Sequence, residues 1–200
     1  MENKVNVKQH IMFPTIIWEV DLAVNKSDML LKMKNFSIKN RSSDPKGIDR
    51  SNFGGWHSKL FKSYPNEFDI FENNITQILK NIRQEINVPP LKLSEFWLNI
   101  NGFGDYNKLH THPGSFLSGV FYIDVPDKNM GDIHFLRGDD MKYYINKLPN
   151  PNNFTGQHVT YVPKSGKLLI FPSWLEHHVD GNRSKQKRIS LSFNYKLLQN

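Results

Sequence analysis

The chain has no cysteine in its 200 residues, so it can form no disulfide and no thiolate metal site. No apolar run approaches the roughly 20 residues that a membrane-spanning helix needs. The opening MENKVNVKQHIMFPT lacks the apolar core of a secretory leader. No internal repeat and no low-complexity linker breaks the chain. These absences make a soluble, cytoplasmic protein without a membrane partner the expectation. Acidic residues are the scarcer charge, 19 against 26 Lys and Arg, for a net charge of +7. Such an excess marks nucleic-acid binding when it is clustered. Here the lysines are scattered, RSKQKR at 183–188 is the densest group, and the pattern reads as a solvated basic surface.

Aromatic residues, by contrast, are plentiful: fourteen Phe, seven Tyr and four Trp. A chain of this length and composition can bury a core and reads as one domain, 1–200. SDMLLKMKNFS reads as a first short helix with Ser27 as its N-cap. From about Asn66 to Ile86 the residues Phe71, Ile75, Ile78, Leu79, Ile82 and Ile86 recur at helical spacing, and Pro89 and Pro90 then stop the helix. Beyond Pro90 the period changes. LSEFWLNIN alternates, with Phe96, Leu98 and Ile100 on one face and Trp97, Asn99 and Asn101 on the other. SFLSGVFYIDVP, GDIHFL, QHVTYVP, GKLLIFP and RISLSFNY are further strand-like runs separated by turn residues. The expected fold is mainly β with N-terminal helices: a helical support layer over 1–90 and a jelly-roll core over 91–200. RGDDMKYYINKLPNPNNFTG, 137–156, has no periodicity and reads as a lid or binding loop.

The chemistry gathers around the histidines. In NKLHTHPGSFLSGVFYI, His110 and His112 are two apart, and in extended chain they project to the same side. Alone, this HxH is a weak signal, and a single strand histidine such as His10, His57 or His158 reads as structural or solvent-facing. A second group, FPSWLEHHVDGN, places His177 and His178 after a strand. Adjacent residues alternate, so only one of the two can point inward. Imidazole nitrogen suits Fe, Zn, Cu or Ni. In RISLSFNY, Arg188, Ser190, Ser192 and Asn194 share one face, which lines either a pocket or the surface. In a pocket, the guanidinium fork of Arg188 suits bidentate binding of a carboxylate, with Ser190 adding a hydroxyl. Asn99, Ser118 and Tyr122 sit on strand faces from which they could either bind a ligand or satisfy the core.

Taken together, IMFPTIIW, SNFGGWHS, FWLNINGFGDYNKLHTHPGSFLSGVFYI, GDIHF, and LLIFPSWLEHHVDGN followed by RISLSFNY resemble the Fe(II)- and 2-oxoglutarate-dependent oxygenases. More narrowly, the chain resembles the small 2OG-Fe(II) oxygenase family of bacteria and phages. The resemblance implies a double-stranded β-helix, Fe(II) as cofactor, and 2-oxoglutarate and dioxygen as cosubstrates. Oxidative decarboxylation to succinate and CO2 would be coupled to hydroxylation of a substrate. It assigns His110 as the proximal ligand, His177 as the distal one, and Arg188 with Ser190 as the R-x-S site for the far carboxylate. Asn99, Ser118 and Tyr122 become further candidates for 2-oxoglutarate. His112 stands where most of the superfamily has Asp or Glu. Three histidines could then hold the iron. A two-histidine site like that of the aspartyl/asparaginyl β-hydroxylases, or Asp105 as a stand-in carboxylate, are the alternatives. Competing with the whole reading are a cupin-like three-histidine dioxygenase or isomerase without 2-oxoglutarate, and a non-enzymatic jelly-roll binding protein. A peptide, a nucleic acid or a metabolite would each suit as substrate, and no motif specifies an oligomer.

Overall fold

The computed structural model describes residues 7–22, 27–140, 148, 150, 152 and 154–198. Helix α1 spans Ser27–Ser43, a turn and a half longer than its apolar stripe suggests, and buries Met29, Met33 and Ser37 on one face. The Ser37 hydroxyl satisfies itself by donating to the Met33 carbonyl, 2.7 Å away. Helix α2, Asp69–Glu85, follows a 3-10 turn at Asn66–Phe68 and buries Phe71, Ile75, Leu79 and Ile82. Asp69 and Glu72 lie in its first turn and Arg83 in its last, each complementing the helix dipole. Among the described residues no helix is long and apolar enough to cross a membrane.

Eleven strands form among the described residues: β1 Trp18–Asp21, β2 Asn52–Phe53, β3 Trp56–His57, β4 Leu91–Asn101, β5 Tyr106–His110, β6 Leu117–Asp124, β7 Ile133–Leu136, β8 His158–Tyr161, β9 Lys167–Pro172, β10 His177–Val179 and β11 Arg188–Leu197. One sheet has the order β1-β9-β6-β11-β4-β3 and the other β2-β5-β10-β7-β8. The N-terminal ninety residues are therefore more than a helical layer, because β1, β2 and β3 extend both sheets. After β4 the chain turns at residues 102–105 and then runs along β5 to the first histidine of the pair. Half of the lid expected at 137–156 falls outside the described residues.

Alternation along the long strands separates two cores. On β4, β6, β9 and β11, residues such as Phe96, Leu98, Phe121, Ile170, Leu191 and Phe193 face the helices and pack against Phe71, Ile75 and Met33. The opposite face of the same sheet presents Val120, Tyr122, Leu169 and Phe171 to Ile133 and Phe135 of the second sheet and to Leu175 in the turn before β10. Gly119 admits the Phe193 ring: a Cβ there would lie 2.3 Å from Phe193 Cζ and 2.7 Å from the Leu169 carbonyl oxygen.

Two variants test this packing. Phe71→Ala removes a fully buried ring and should cost about 3–5 kcal/mol. Gly119→Ala, though it adds one carbon, should cost about 1–3 kcal/mol through overpacking. Urea unfolding midpoints at constant m-value would show both. An unchanged midpoint in Gly119→Ala would contradict the described approach of Phe193.

Candidate metal and carboxylate site

Strand β5 ends at His110 and β10 begins at His177, and the two residues are direct cross-strand partners. Both project into the space between the sheets. His112 lies two residues past β5, where its backbone N–H donates to the Ser173 carbonyl at 2.9 Å. That bond anchors it beside the turn that leads into β10. Ring centroids are 4.3 Å apart for His110 and His177, 5.0 Å for His110 and His112, and 5.1 Å for His112 and His177. One nitrogen from each ring falls within 4.8 Å of the other two.

The protonation pattern follows from the backbone. His110 Nδ1 donates to the Lys108 carbonyl at 2.7 Å, and His177 Nδ1 donates to the Leu175 carbonyl at 2.8 Å. Each bond places the proton on Nδ1 and leaves the Nε2 lone pair for a ligand. Burial disfavours the imidazolium at all three positions. It lowers the His110 pKa and, with His110 as a neighbour, brings His112 and His177 down to about 3. Three neutral imidazoles converging on one point fit a divalent transition ion. His178, one residue on, faces the opposite side of the sheet, as alternation requires. Asp105 is not part of this cluster, because its carboxylate accepts the Gly102 N–H at 2.6 Å and closes a turn.

The same cavity is lined by Trp97, Asn99, Tyr122, Arg188, Ser190 and Ser192, with Ser51 and Asn107. Arg188 is the unusual member. It is 2% exposed, and no carboxylate pairs with it among the described residues. Its Nη1 donates to the carbonyls of Met130 (2.9 Å) and Gly131 (2.6 Å), while its buried Nε has no acceptor. Burial lowers its pKa, and Tyr122 and Asp132 act in the other direction. A buried guanidinium with an unsatisfied edge is costly unless an anion arrives. The Tyr122 ring lies 6.0 Å from the guanidinium carbon, and burial raises the phenol to about 12, which keeps it a hydrogen-bond donor.

The other expected residues divide. Ser190 is buried on the cavity wall beside Arg188. Asn99 also lines the cavity, but its amide donates to Ser192 Oγ at 3.2 Å. Ser118 is not brought to the cavity. It bonds Ser173 Oγ at 2.8 Å and Asn194 Oδ1 at 2.7 Å, so its polar capacity goes to the core. Sequence reasoning had no use for Trp97, which stacks on His57 at 5.5 Å and lies 5.6 Å from His112. Its shared face with Asn99 was the available signal. Ser51 and Asn107, joined by a 3.2 Å hydrogen bond, had none, since a two-residue strand brings Ser51 there.

Two antiparallel sheets rolled around a histidine-lined cavity define a double-stranded β-helix of the metal-dependent oxygenase type. Residues 95–194, half of the chain, match the family described as "Putative 2OG-Fe(II) oxygenase". The chain belongs to that family of Fe(II)- and 2-oxoglutarate-dependent oxygenases. Its cofactor is Fe(II), with 2-oxoglutarate and dioxygen as cosubstrates. No curated protein matches it in sequence. Among solved structures it is similar to a Pseudomonas putida prolyl-4-hydroxylase, at 12% identity and a TM-score of 0.66 over 92% of this chain and 94% of that one. It is also similar to SnoK, a non-heme alpha-ketoglutarate-dependent carbocyclase from nogalamycin biosynthesis (8% identity, TM-score 0.68, 92% and 80% covered). A third is HygX from Streptomyces hygroscopicus with nickel, 2-oxoglutarate and hygromycin B bound (13% identity, TM-score 0.60, 92% and 83% covered). At these identities the likenesses establish the fold.

The depressed histidines give a pH prediction. The folded metal-free protein keeps His112 and His177 neutral down to about pH 3, whereas the unfolded chain takes up protons below about pH 6.5. Between those values the unfolded state binds more protons. Stability is therefore full above about pH 6.5 and declines as the pH falls toward 3. Urea midpoints of metal-free protein should fall on going from pH 7.5 to pH 5, and His177→Gln should flatten that fall.

Proposed function

We propose that this oxygenase hydroxylates its substrate with the iron held by His110, His112 and His177 and the far carboxylate of 2-oxoglutarate held by Arg188, Tyr122 and Ser190. The observation that carries this reading is Arg188: buried, unpaired, and with its Nε unsatisfied in the cavity that the three imidazoles line. A three-histidine enzyme without 2-oxoglutarate, or a plain binding module, gives that charge no partner. A dicarboxylate bridging from the metal to Arg188 gives it one.

Fe(II) and 2-oxoglutarate, when bound, supply a strong oxidant from dioxygen, with succinate and CO2 as by-products. The protein's own part is positioning and insulation. The Lys108 and Leu175 carbonyls hold two rings in the tautomer that presents Nε2. Met130 and Gly131 hold one edge of the Arg188 guanidinium, leaving the Nε edge for the carboxylate. Tyr122 and Ser190 offer hydroxyls beside it. Phe171, Val120, Ile133 and Val179 supply apolar wall, which keeps water from the reacting centre. A third imidazole in place of a carboxylate leaves the site one negative charge poorer, so more of the binding energy falls on the anionic cosubstrate.

The test is anaerobic visible absorption of metal-free protein given Fe(II) and then 2-oxoglutarate. A weak charge-transfer band should appear and should be lost in His177→Ala. Iron binding without a band would favour the enzyme that does not use 2-oxoglutarate. Arg188→Ala should weaken 2-oxoglutarate binding on the order of 10²- to 10³-fold, as expected for removing one partner of a buried charge pair, with Fe(II) affinity little changed. Arg188→Met should show the same loss while leaving the metal-free protein as stable or more stable, because an apolar replacement removes a buried lone charge. His112→Asp should retain iron and the band if position 112 is a ligand; retention of both at full strength in His112→Ala would remove His112 from the ligand set.

A further inference from the structure

The outer face of the five-stranded sheet carries a second group of metal-ligating side chains, on the side away from the iron cavity. The register that aims His177 inward turns His178 outward and sets it directly across from His134 on β7, which in turn lies across from Thr160 on β8. Asp180, two residues after His178, comes up on the same side. One donor atom from each of His134, His178 and Asp180 lies within 4.8 Å of the other two.

The details suit a cation. The His134 and His178 rings are 4.7 Å apart and nearly parallel, at 7°. His134 Nε2 faces Asp180 Oδ2 at 3.1 Å, and His178 Nε2 faces Asp180 Oδ1 at 3.7 Å. The two carboxylate oxygens are thus divided between two imidazole nitrogens. The far nitrogen of His134, Nδ1, is held by Thr160 Oγ1 at 2.9 Å, the outer bond that typically orients a metal-binding imidazole. His158, exposed on β8, has its ring 5.9 Å from that of His134. Bonds of about 2.0–2.2 Å to nitrogen and oxygen require donors closer together than 4.8 Å. Asp180 is half exposed, with 51% of its side chain accessible, and His178 is 36% accessible, so side-chain rotation can close the difference.

We propose that His134, His178 and Asp180 form a second divalent transition-metal site, of the zinc type, separate from the iron centre. Two imidazoles and one carboxylate on a solvent-facing sheet are a zinc-like donor set with room for water. An ion there ties β10 to β7 directly behind the strand that carries His177, so its occupancy braces the distal ligand of the iron site from the other face. This inference rests on the outer cluster alone and does not depend on which residues bind iron.

The experiment is equilibrium dialysis of untagged full-length protein against micromolar zinc, with bound metal measured per chain. Wild type should bind two zinc ions, and His134→Gln/Asp180→Asn should bind one. Asp180 is half exposed, and the His134→Gln replacement keeps a polar side chain of similar reach, so the variant should fold, and it should still give the Fe(II)–2-oxoglutarate absorption band. In His110→Ala/His177→Ala one zinc should remain, and zinc should still raise the thermal midpoint of that variant. One zinc in wild type that disappears in His110→Ala/His177→Ala, or two zinc ions in both wild type and His134→Gln/Asp180→Asn, would overturn the proposal.

Discussion

The site depends on one pairing, that of β5 with β10, which sets His110 opposite His177. Neither strand is long; β10 has three residues. Their register is imposed from both sides, by β7 pairing along β10 and by the backbone bond from His112 to the Ser173 carbonyl. A one-residue slip of β10 would turn His177 out and bring His178 in, because side chains alternate with period two. The inner imidazole cluster and the outer His134–His178 pair are two consequences of the same register.

The second constraint is electrostatic. The ion pairs between surface lysines and carboxylates, such as Lys32–Asp28 and Lys62–Glu95, contribute little to stability. Arg188 is the opposite case. β11 places it on the inner face beneath the two sheets, and the Met130 and Gly131 carbonyls hold it without neutralising it. A charge retained at that cost in a cavity is better explained by an anion that visits than by the fold itself. The aromatic layer of α1, α2 and the six-stranded sheet carries the stability that makes such a defect tolerable.

Much of this was legible in the residues. The alternation of LSEFWLNIN and RISLSFNY grouped the side chains of β4 and β11 onto the faces they share, though it left open whether the polar face of β11 lines a pocket or the surface, and the spacing of Phe71, Ile75, Leu79 and Ile82 gave α2 nearly to its ends. His110, His112, His177, Arg188 and Ser190 stood out by residue type and position. Ser118 did not hold as a ligand candidate, because face membership says nothing about which hydrogen bonds a neighbour already offers. Asn194 on β11 and Ser173 in the turn after β9 reach it from segments distant in sequence. Strands β1, β2 and β3 were missed for a related reason. β2 and β3 are only two residues long and β1 stands apart from the other strand-like runs, so only their partners make them strands.

The sequence by itself determined the class: local alternation sets which side chains share a face, and the motif residues set what chemistry those faces can do. Tertiary structure alone decided which faces meet. The convergence of three imidazoles, the unpaired edge of Arg188, and the outer His134–His178–Asp180 group all involve residues 40 to 80 positions apart, or strands joined only through the sheet. Their geometry comes from cross-strand register, and register is a property of paired strands that no single segment encodes.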